Sequence, residues 1–379
     1  MIQETAAHNK ITDILKIAAS IVFLYTFLVS ISLMSHAFTG FGSGFAETLI
    51  RTTSNPLIGF FVGLLATSII QSSGTTTSMI VAFVISGVLS VRSAVPIVIG
   101  ANIGTTVTNT LVALGHITRR EEFKRAFACS TMHDFFNILT AAILLPIELK
   151  THYLERTAGF LATRFCEFSG ISIKSPLDVI IKPVVEIADG FFIGFMNLSV
   201  KTASVCMLIV ALAILFLSLF YTVKIMRSLI VKKTEIVLNN ILGSNAALVM
   251  LMGAIFTFIV RSSSVTTAIL VPIVGSGILS LENAFPITLG ANLGTTLTAI
   301  IASLAGNVAG VTIAFVHLLF NATGIIIIYP FKVMRKIPLT IAKKFGEMGY
   351  KKPLYAFFYV LAVFFLLPGL LIFISQTLK

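Results

Sequence analysis

A stretch of 40 residues occurs twice in this chain, without a gap and 190 positions apart. Residues 71–110 and 261–300 share 20 identical positions, and most of these are Ser, Thr, Gly, Asn or Pro. Apolar residues match between any two membrane helices by composition alone, whereas these residue types do not. A repeat that keeps polar and helix-breaking residues in apolar surroundings predicts one site built from both copies.

The surroundings of both copies are strongly apolar. Apolar residues make up 56% of the 379 residues and charged residues 11%, whereas soluble domains carry about 25% charge. Continuous apolar runs of spanning length recur without the alternation of barrel strands, so we expect a helical membrane protein in contact with lipid. The net charge of +12 falls in clusters between these runs. The positive-inside rule explains the clusters, and we expect no nucleic acid partner.

The first copy belongs to a longer unit, residues 1–147, in which two short apolar arms meet at a polar interruption. The interruption reads Gln71-Ser72-Ser73-Gly74-Thr75. Each arm has fewer than about 17 residues, which is too short to span a bilayer comfortably. The pattern therefore predicts a re-entrant helical hairpin over 57–90. Spanning helices are predicted at 11–38, 93–115 and 123–147.

The second copy belongs to a unit with the same order of segments, residues 196–332. Its hairpin is predicted over 240–280, interrupted at Arg261-Ser262-Ser263-Ser264. Its spanning helices are predicted at 197–223, 284–305 and 309–331. A loop (148–195), whose 152–168 stretch is amphipathic, joins the units, and a basic linker and a last helix occupy 333–379. The predicted fold class is an all-α integral membrane protein with inverted structural repeats, each with a re-entrant hairpin and three transmembrane helices, plus a C-terminal helix.

The repeats are predicted to be inverted because each unit crosses the membrane three times, an odd number. Under this count the basic clusters share one side, which the positive-inside rule makes the cytoplasm. These clusters lie at 119–125, 224–233 and 332–352. The loop 148–195 is then extracytoplasmic, the first hairpin opens outward and the second opens inward. We expect a cytoplasmic N-terminus and an extracytoplasmic C-terminus.

The hairpin interruptions are the predicted substrate site. Backbone N–H groups at the start of each second arm attract anions, and unwound carbonyls and hydroxyls coordinate small cations such as sodium. The alternative is that small residues only allow close helix packing. The candidate substrate-binding residues are Gln71, Ser72, Ser73, Gly74, Thr75, Arg261, Ser262, Ser263, Ser264, Asn102 and Asn292.

Two glycine-rich motifs follow the hairpins, GANIGTT at 100–106 and GANLGTT at 290–296. They resemble phosphate loops only loosely, because no strand precedes them and the P-loop Lys is absent. Their glycines favour local unwinding that exposes carbonyls, or alternatively a small-residue packing face. The threonines that follow supply hydroxyls for sodium. With one acid, the candidate sodium ligands are Ser262, Thr295, Thr298, Thr105, Thr108 and Asp134.

A third repeated motif consists of a His and an Asn four residues apart, His133 and Asn137 in the first unit and His317 and Asn321 in the second. The spacing of four places each pair on one helical face. Intramembrane polar groups need partners, so these residues are predicted to support the hairpins by hydrogen bonds. Asp134 is either a sodium or proton site, or the partner of Arg125 or of a helix end.

Arg261 is the main asymmetry between the copies, because it stands where the first copy has Gln71. Three interpretations remain open. The guanidinium binds an anion such as phosphate or carboxylate, it replaces a bound cation as a fixed charge, or it snorkels to the cytoplasmic surface.

Other classes of protein are less consistent with the sequence. No HExxH, GxSxG or CxxC motif occurs, so we expect neither an enzyme nor a cysteine metal site. The cysteines are predicted to be free thiols, with a Cys166–Cys206 bridge as the alternative. A sodium-coupled carboxylate carrier and an anion channel are the remaining functional alternatives.

The chain resembles the type II sodium-dependent phosphate cotransporters. The resemblance rests on QSSGTTTS at 71–78, GANIGTTVTNT at 100–110, EFKRAFACSTMHDFFN at 122–137, RSSSVTT at 261–267, GANLGTTLTA at 290–299 and LAVFFLLPGLLIFIS at 361–375. It implies sodium-driven symport of inorganic phosphate. It also implies a shared site at Gln71, Ser72 and Ser73 with Ser262, Ser263 and Ser264, and sodium at Ser262, Thr295 and Thr298.

Two departures from that family carry positive charge. Arg261 replaces the usual second Gln, and Arg119 stands where electrogenic members carry an Asp. The departures predict fewer coupled sodium ions and electroneutral transport. The shorter loop and C-terminal part indicate a bacterial inner-membrane protein, and a homodimer is left open.

Overall fold

The structure is a computed structural model that describes residues 2–42, 44, 53–169, 178–230 and 245–377. The regular elements in this part of the chain are helices. Those of the first unit are α1 (Ile2–Gly40), α2 (Pro56–Ile70), α3 (Ser73–Ile85), α4 (Val91–Ile103), a 3₁₀ turn (Gly104–Thr106), α5 (Val107–Leu114) and α6 (Arg120–Thr151).

The connection and the second unit are also helical. The connection contains α7 (Tyr153–Ser169), α8 (Asp178–Asp189) and a π-helical turn (Gly190–Phe195). The second unit contains α9 (Val200–Ile230), α10 (Ala246–Val260), α11 (Ser263–Gly275), α12 (Leu281–Ser303) and α13 (Val308–Ile328). The remaining elements are α14 (Lys332–Lys351), α15 (Leu354–Val360), a π-helical turn (Leu361–Leu366) and α16 (Leu367–Thr377).

The predicted class, an all-α integral membrane protein, is confirmed by the lengths and composition of these helices. Seven segments of the described chain are long and apolar enough to cross a bilayer. They are Ile14–Gly40, Val91–Leu114, Arg120–Thr151, Val200–Thr222, Leu281–Ser303, Val308–Ile328 and Leu354–Ser375. The hairpin arms α2, α3, α10 and α11 are apolar but shorter, with 13 to 15 residues each. The predicted hairpin start at residue 240 lies outside the described residues.

The first arm of each hairpin begins at a capping asparagine. The Asn55 side chain accepts a hydrogen bond from the Leu57 N–H at 3.0 Å, and Pro56 occupies the first helical position. The Asn245 side chain accepts one from the Ala247 N–H at 3.0 Å. These caps satisfy N–H groups that have no partner inside a helix. The start of each hairpin is therefore fixed by a capping hydrogen bond between residues two positions apart.

The two segments predicted as connections contain well-formed helices. The amphipathic stretch predicted at 152–168 is the helix α7. The basic linker is the helix α14, whose buried residues Leu339, Ala342, Gly346 and Gly349 recur at helical spacing. This face packs closely on α6: a Cβ atom added to Gly346 would lie 3.1 Å from the Ala128 side chain. An apolar stripe on one side of a basic segment accounts for the helix.

The hairpins pack on the following helices through glycines at matched positions. In the first unit, added Cβ atoms at Gly63 of α2 and Gly100 of α4 overlap with the Ile97 and Phe60 carbonyl oxygens. In the second unit, one at Gly290 of α12 overlaps with the Met250 carbonyl oxygen. Each pair of helices therefore touches backbone to backbone. The relation between the two copies, 190 positions apart, thus extends from sequence to packing.

The two ends of helix α6 contact different hairpins, so the helix relates the positions of the hairpins. It has 32 residues and is about 48 Å long at 1.5 Å per residue. The turns that connect the hairpins to the following helices, residues 86–90 and 276–280, are called the hairpin turns. Near the start of α6, the Arg125 Nε donates to the Gly275 carbonyl beside the turn of the second hairpin, at 2.8 Å. Just beyond its end, His152 contacts Arg92, which follows the turn of the first hairpin. The two hairpin turns therefore lie near opposite ends of α6.

Candidate functional site

The two interruptions have nearly the same backbone geometry. Gln71 ends α2 with φ 60°, and Arg261 ends α10 with φ 58°. The side chains of Ser72 and Ser262 cap the next helices, accepting from the N–H groups of Thr75 at 3.2 Å and Val265 at 3.4 Å. A left-handed residue followed by a capping serine reverses the chain and starts a new helix. Each hairpin thus presents a helix N-terminus at its break.

The breaks meet in the interior of the protein. The Ser264 hydroxyl donates to the main-chain carbonyl of Gln71 at 3.4 Å, across 193 residues of sequence. The Thr108 hydroxyl donates to the Gln71 side-chain oxygen at 3.1 Å. Three predicted site residues from both units therefore form one polar cluster.

A second cluster surrounds the break of the first hairpin. A Cβ atom added to Gly74 lies 3.3 Å from side-chain carbons of both Thr295 and Thr298. Such a contact is tight, so this position favours glycine. The predicted sodium ligands Thr295 and Thr298 therefore face the first hairpin, although they belong to the second unit.

A cavity of about 600 Å³ extends from the first cluster. Thr108 and Ser264 form its polar part, and its other lining residues are apolar, among them Val112, Val265 and Pro272. The cavity follows α11 from the break toward the turn of the second hairpin. The polar cluster therefore lies at one end of this cavity.

Asn102 and Asn292 take part in a buried network that crosses between the units. His133 and Asn137 bind the Asn292 side chain: the His133 Nε2 donates to its oxygen, and its nitrogen donates to Asn137 at 2.9 Å. The His133 and Asn137 side chains were predicted to bond the hairpins. Their bonds instead go to Asn292 and, from Asn137, to the Asn102 carbonyl at 2.8 Å.

The reciprocal half of this network involves the second His–Asn pair. Both the His317 Nε2 and the Asn321 side-chain nitrogen donate to the Asn102 side-chain oxygen at 3.0 Å. The Asn102 nitrogen donates to the Val98 carbonyl at 2.9 Å. Each unit thus supplies the histidine that holds the asparagine of the other. The two asparagines are engaged in holding α4 and α12 in place.

The predicted unwinding at the glycine-rich motifs occurs in one copy only. A 3₁₀ turn over Gly104–Thr106 separates α4 from α5, whereas α12 runs unbroken through Gly290 and Gly294. The glycines act mainly as contact points, since a Cβ at Gly104 or Gly294 also meets the facing hairpin arm. The Thr105 hydroxyl lies 3.4 Å from the Asn102 carbonyl, within its own helix turn.

Asp134 lies apart from the hairpin clusters in its hydrogen bonding. The Tyr359 hydroxyl, from the last membrane segment, donates to the Asp134 carboxylate at 2.8 Å. The predicted alternative partner Arg125 instead bonds to Gly275. Asp134 therefore links the repeats to the C-terminal helix.

Tyr359→Phe is expected to loosen this link without changing packing volume. Removing the hydroxyl leaves a buried carboxylate oxygen without its donor, which costs about 1–3 kcal/mol. Thermal unfolding in detergent measures the change, with Tyr355→Phe, an exposed tyrosine of the same helix, as the control. A melting temperature equal to that of the control contradicts a stabilising role.

Arg261 directs its guanidinium into the protein. The guanidinium carbon lies 4.6 Å from the centre of the Phe27 ring in α1. All three side-chain nitrogens are buried and have no hydrogen-bond partner among the described residues. The snorkelling interpretation is therefore wrong for this structure, since the charge is not at the surface. Arg119, by contrast, is 74% exposed and pairs with Glu122 at 3.2 Å.

Two features of the site lacked a sequence signal. Phe27 lies outside the 40-residue repeat, and its counterpart 190 residues later, Leu217, is exposed. Asn109 accepts a hydrogen bond from Thr267 of α11 at 2.9 Å, although the repeat has no asparagine at the matching position. Cys206 is a free thiol, so the alternative bridge to Cys166 does not form.

The fold and the site define a polytopic helical membrane protein with two broken-helix hairpins that meet at a buried polar cluster. The sequence model of the Na⁺/Pi-cotransporter family matches residues 26–165 and 214–347. The chain belongs to this family.

Named relatives agree with this membership. Sodium-dependent phosphate transport protein 2B of Homo sapiens is 34% identical over 91% of this chain and 63% of its own length. Sodium-dependent phosphate transport protein 2A of Rattus norvegicus is 34% identical over 97% of this chain and 68% of its own length. The chain thus spans roughly two thirds of these relatives. No solved structure matches it.

Proposed function

We propose that this protein is a secondary active transporter that couples sodium to the symport of inorganic phosphate into the cell. The observation that carries the proposal is the contact between the two breaks, from the Ser264 hydroxyl to the Gln71 carbonyl at 3.4 Å. Relatives that are 34% identical are named as sodium-dependent phosphate transport proteins. The names of these relatives indicate phosphate as the substrate, and the two joined breaks provide a binding site for it.

Phosphate is held between the N-termini of α3 and α11. The free N–H groups at these ends and the helix dipoles favour an anion. Ser73 and Ser263, both buried, are the first helical residues at the two ends. Their hydroxyls add donors for phosphate oxygens. Gln71, Ser72, Thr75, Ser262 and Ser264 complete the proposed binding set.

Sodium is held by hydroxyl and carbonyl oxygens, which hard cations prefer. Two sets of candidates exist, one in each unit. The first contains Thr105 and Thr108, and the second contains Ser262, Thr295 and Thr298.

Alternating access is supported by the positions of the hairpin turns near opposite ends of α6. Inverted repeats with broken helices place a midplane site that opens first to one side and then to the other. The 600 Å³ cavity leads from Thr108 and Ser264 toward the end with Arg125 and the second hairpin turn. Lys343 and Glu282 pair at that end at 2.5 Å. Its basic residues make it the cytoplasmic side, with a bacterial inner membrane as the proposed location.

The alternative functions, a carboxylate carrier and an anion channel, differ from the proposed one in substrate and in transport mechanism. A carboxylate carrier uses the same hairpins, and citrate or succinate then competes with phosphate for uptake. An anion channel conducts without a sodium gradient, whereas a symporter accumulates phosphate against its gradient.

Uptake of radiolabelled phosphate into proteoliposomes tests the proposal. We expect uptake with an inward sodium gradient and little uptake when potassium replaces sodium. Ser73→Ala and Ser263→Ala each remove a donor to a charged ligand, worth about 1.5–3 kcal/mol. That corresponds to about a 10- to 100-fold loss of phosphate affinity.

Ser86→Ala and Ser276→Ala are matched controls for these variants. Both serines lie at the far turns of the hairpins and bond only to local carbonyls, at 2.8 and 2.9 Å. We expect wild-type uptake from both. Phosphate uptake that ignores sodium refutes the coupling, and no phosphate uptake at all refutes the proposed cargo.

A further inference from the structure

The second hairpin break contains polar groups whose counterparts in the first break are paired. In the first unit, Thr108 donates to the Gln71 side chain at 3.1 Å. The residues 190 positions later are Thr298 and Arg261. The Thr298 hydroxyl is buried without a hydrogen-bond partner in the described parts of the chain, as are the three Arg261 nitrogens. The same place in the repeat therefore holds an amide oxygen with a partner in one copy and a cation without a hydrogen-bond partner in the other.

The surroundings of Arg261 compensate its charge only in part. The guanidinium carbon lies 4.6 Å from the centre of the Phe27 ring, a favourable cation–π contact. This contact satisfies none of the five N–H donors, and the nitrogens that carry them have no hydrogen-bond partner among the described residues. A guanidinium removed from water is costly unless an acceptor offsets the loss of hydration. Arg261 therefore needs an acceptor beyond the aromatic ring.

No acidic side chain in the described part of the chain serves as that acceptor. The ion pairs there involve surface groups such as Glu122, Glu282 and Glu347, and none includes Arg261. Asp134 bonds to Tyr359. The N-terminus of α11, which begins two residues after Arg261, adds positive potential. The local balance of charge is thus positive at a break that the first hairpin also contacts.

We propose that Arg261 is a permanent cationic subsite that binds two oxygens of a tetrahedral oxyanion on the Phe27 side of the second break. The proposal rests on the proposed function, in which that anion is inorganic phosphate. A guanidinium presents two parallel N–H groups that match a pair of phosphate oxygens. Thr298, whose buried hydroxyl has no partner among the described residues, occupies the position in the repeat that Thr108 occupies beside Gln71, and we assign it as a further donor.

The subsite also assigns the sodium ligands to one unit. Like charges repel, so a sodium ion is disfavoured at the second break, where Ser262 follows Arg261 in the chain. Sodium is then held by the first unit, where Thr108 and Gln71 offer oxygens and no cation is present. One fixed charge in place of a sodium ion lowers the number of coupled sodium ions.

Two substitutions at residue 261 and one control test the subsite. Arg261→Gln copies the first hairpin, and Arg261→Lys keeps the charge but loses the fork. Arg335→Gln is the control, because Arg335 also stacks on an aromatic ring, Tyr329 at 5.1 Å, away from the breaks. Equilibrium binding of radiolabelled phosphate to purified protein is measured at fixed sodium. Sodium dependence of uptake is measured in proteoliposomes.

We expect Arg261→Gln to weaken phosphate binding about 10- to 100-fold, the effect of losing a bond between charged groups. Its uptake should depend more steeply on sodium than that of the wild type, because a cation then occupies the freed position. Arg261→Lys should be intermediate, and Arg335→Gln should match the wild type in both measurements.

Thermal unfolding separates binding from folding. Arg261→Gln should unfold without phosphate at or above the wild-type temperature, because a buried unpaired charge has been removed. Phosphate at a fixed concentration should raise the melting temperature of the wild type more than that of this variant. Wild-type phosphate affinity in Arg261→Gln overturns the subsite while leaving the proposed function intact. A wild type that shows phosphate binding lost in Arg261→Gln, but no sodium-dependent uptake, refutes the proposed function and supports the subsite. A wild type that does not bind phosphate overturns both.

Discussion

Gly100→Ala is expected to prevent the first hairpin from packing on α4, and so to abolish the folded protein. A Cβ atom at this position overlaps with the Phe60 carbonyl oxygen and lies 3.0 Å from the Leu64 nitrogen. Helix backbone atoms cannot rotate aside as a side chain can, so α2 and α4 must separate. We expect a loss of more than about 4 kcal/mol in the free energy of unfolding, which is exceptional for one substitution.

Size-exclusion chromatography and thermal unfolding in detergent measure this effect. Gly290→Ala should behave in the same way, because its Cβ overlaps with the Met250 carbonyl. Gly159→Ala is the matched control, since no described heavy atom lies within 4 Å of its added Cβ in α7. Alanine stabilises an open helical position by roughly 0.5–1 kcal/mol. If Gly100→Ala and the control unfold at the same temperature, the packing argument is wrong.

Asn102→Ala is expected to destabilise both units together. It removes the side-chain acceptor of His317 and Asn321, both almost completely buried. Each buried donor left unsatisfied costs about 1–3 kcal/mol, so we expect a total loss of about 2–6 kcal/mol. Because networks couple their members, the double variant Asn102→Ala with His317→Ala should lose less than the sum of the single variants.

Asn307→Ala provides the control for this prediction. Asn307 caps α13 by accepting from the Gly310 N–H at 3.1 Å, near the surface. Losing a cap costs about 1 kcal/mol, so its melting temperature should fall less than that of Asn102→Ala. Additive losses in the double variant contradict the shared network.

The sequence predicted the class of fold and the location of the breaks because both depend on short-range properties. A run of apolar residues defines a spanning helix wherever it lies, and Ser72 and Ser262 cap helices within three residues of themselves. The repeat added a long-range relation that single helices lack. It relates Gln71 to Arg261, and the two residues have φ angles of 60° and 58°.

The partners of the repeated polar residues were less predictable. The His–Asn pairs were expected at the hairpins but bind Asn102 and Asn292 of the opposite units. A sequence lists which groups need partners, but several amides and hydroxyls satisfy a histidine equally well. Which one is adjacent depends on how α4, α6, α12 and α13 pack. The contact of Arg261 with Phe27 was equally unpredictable, because no feature of the sequence distinguishes Phe27 from other apolar residues.

By itself, the sequence determined that this protein is a helical membrane protein with two matched breaks, since apolar length, helix capping and repeated residues act locally. Only the tertiary structure decided that the breaks meet, that glycines place helices backbone to backbone, and that Arg261 is buried on Phe27. The physical reason is that these features depend on the distance between segments about 190 residues apart. That distance is set by the packing of the whole bundle and not by any one segment.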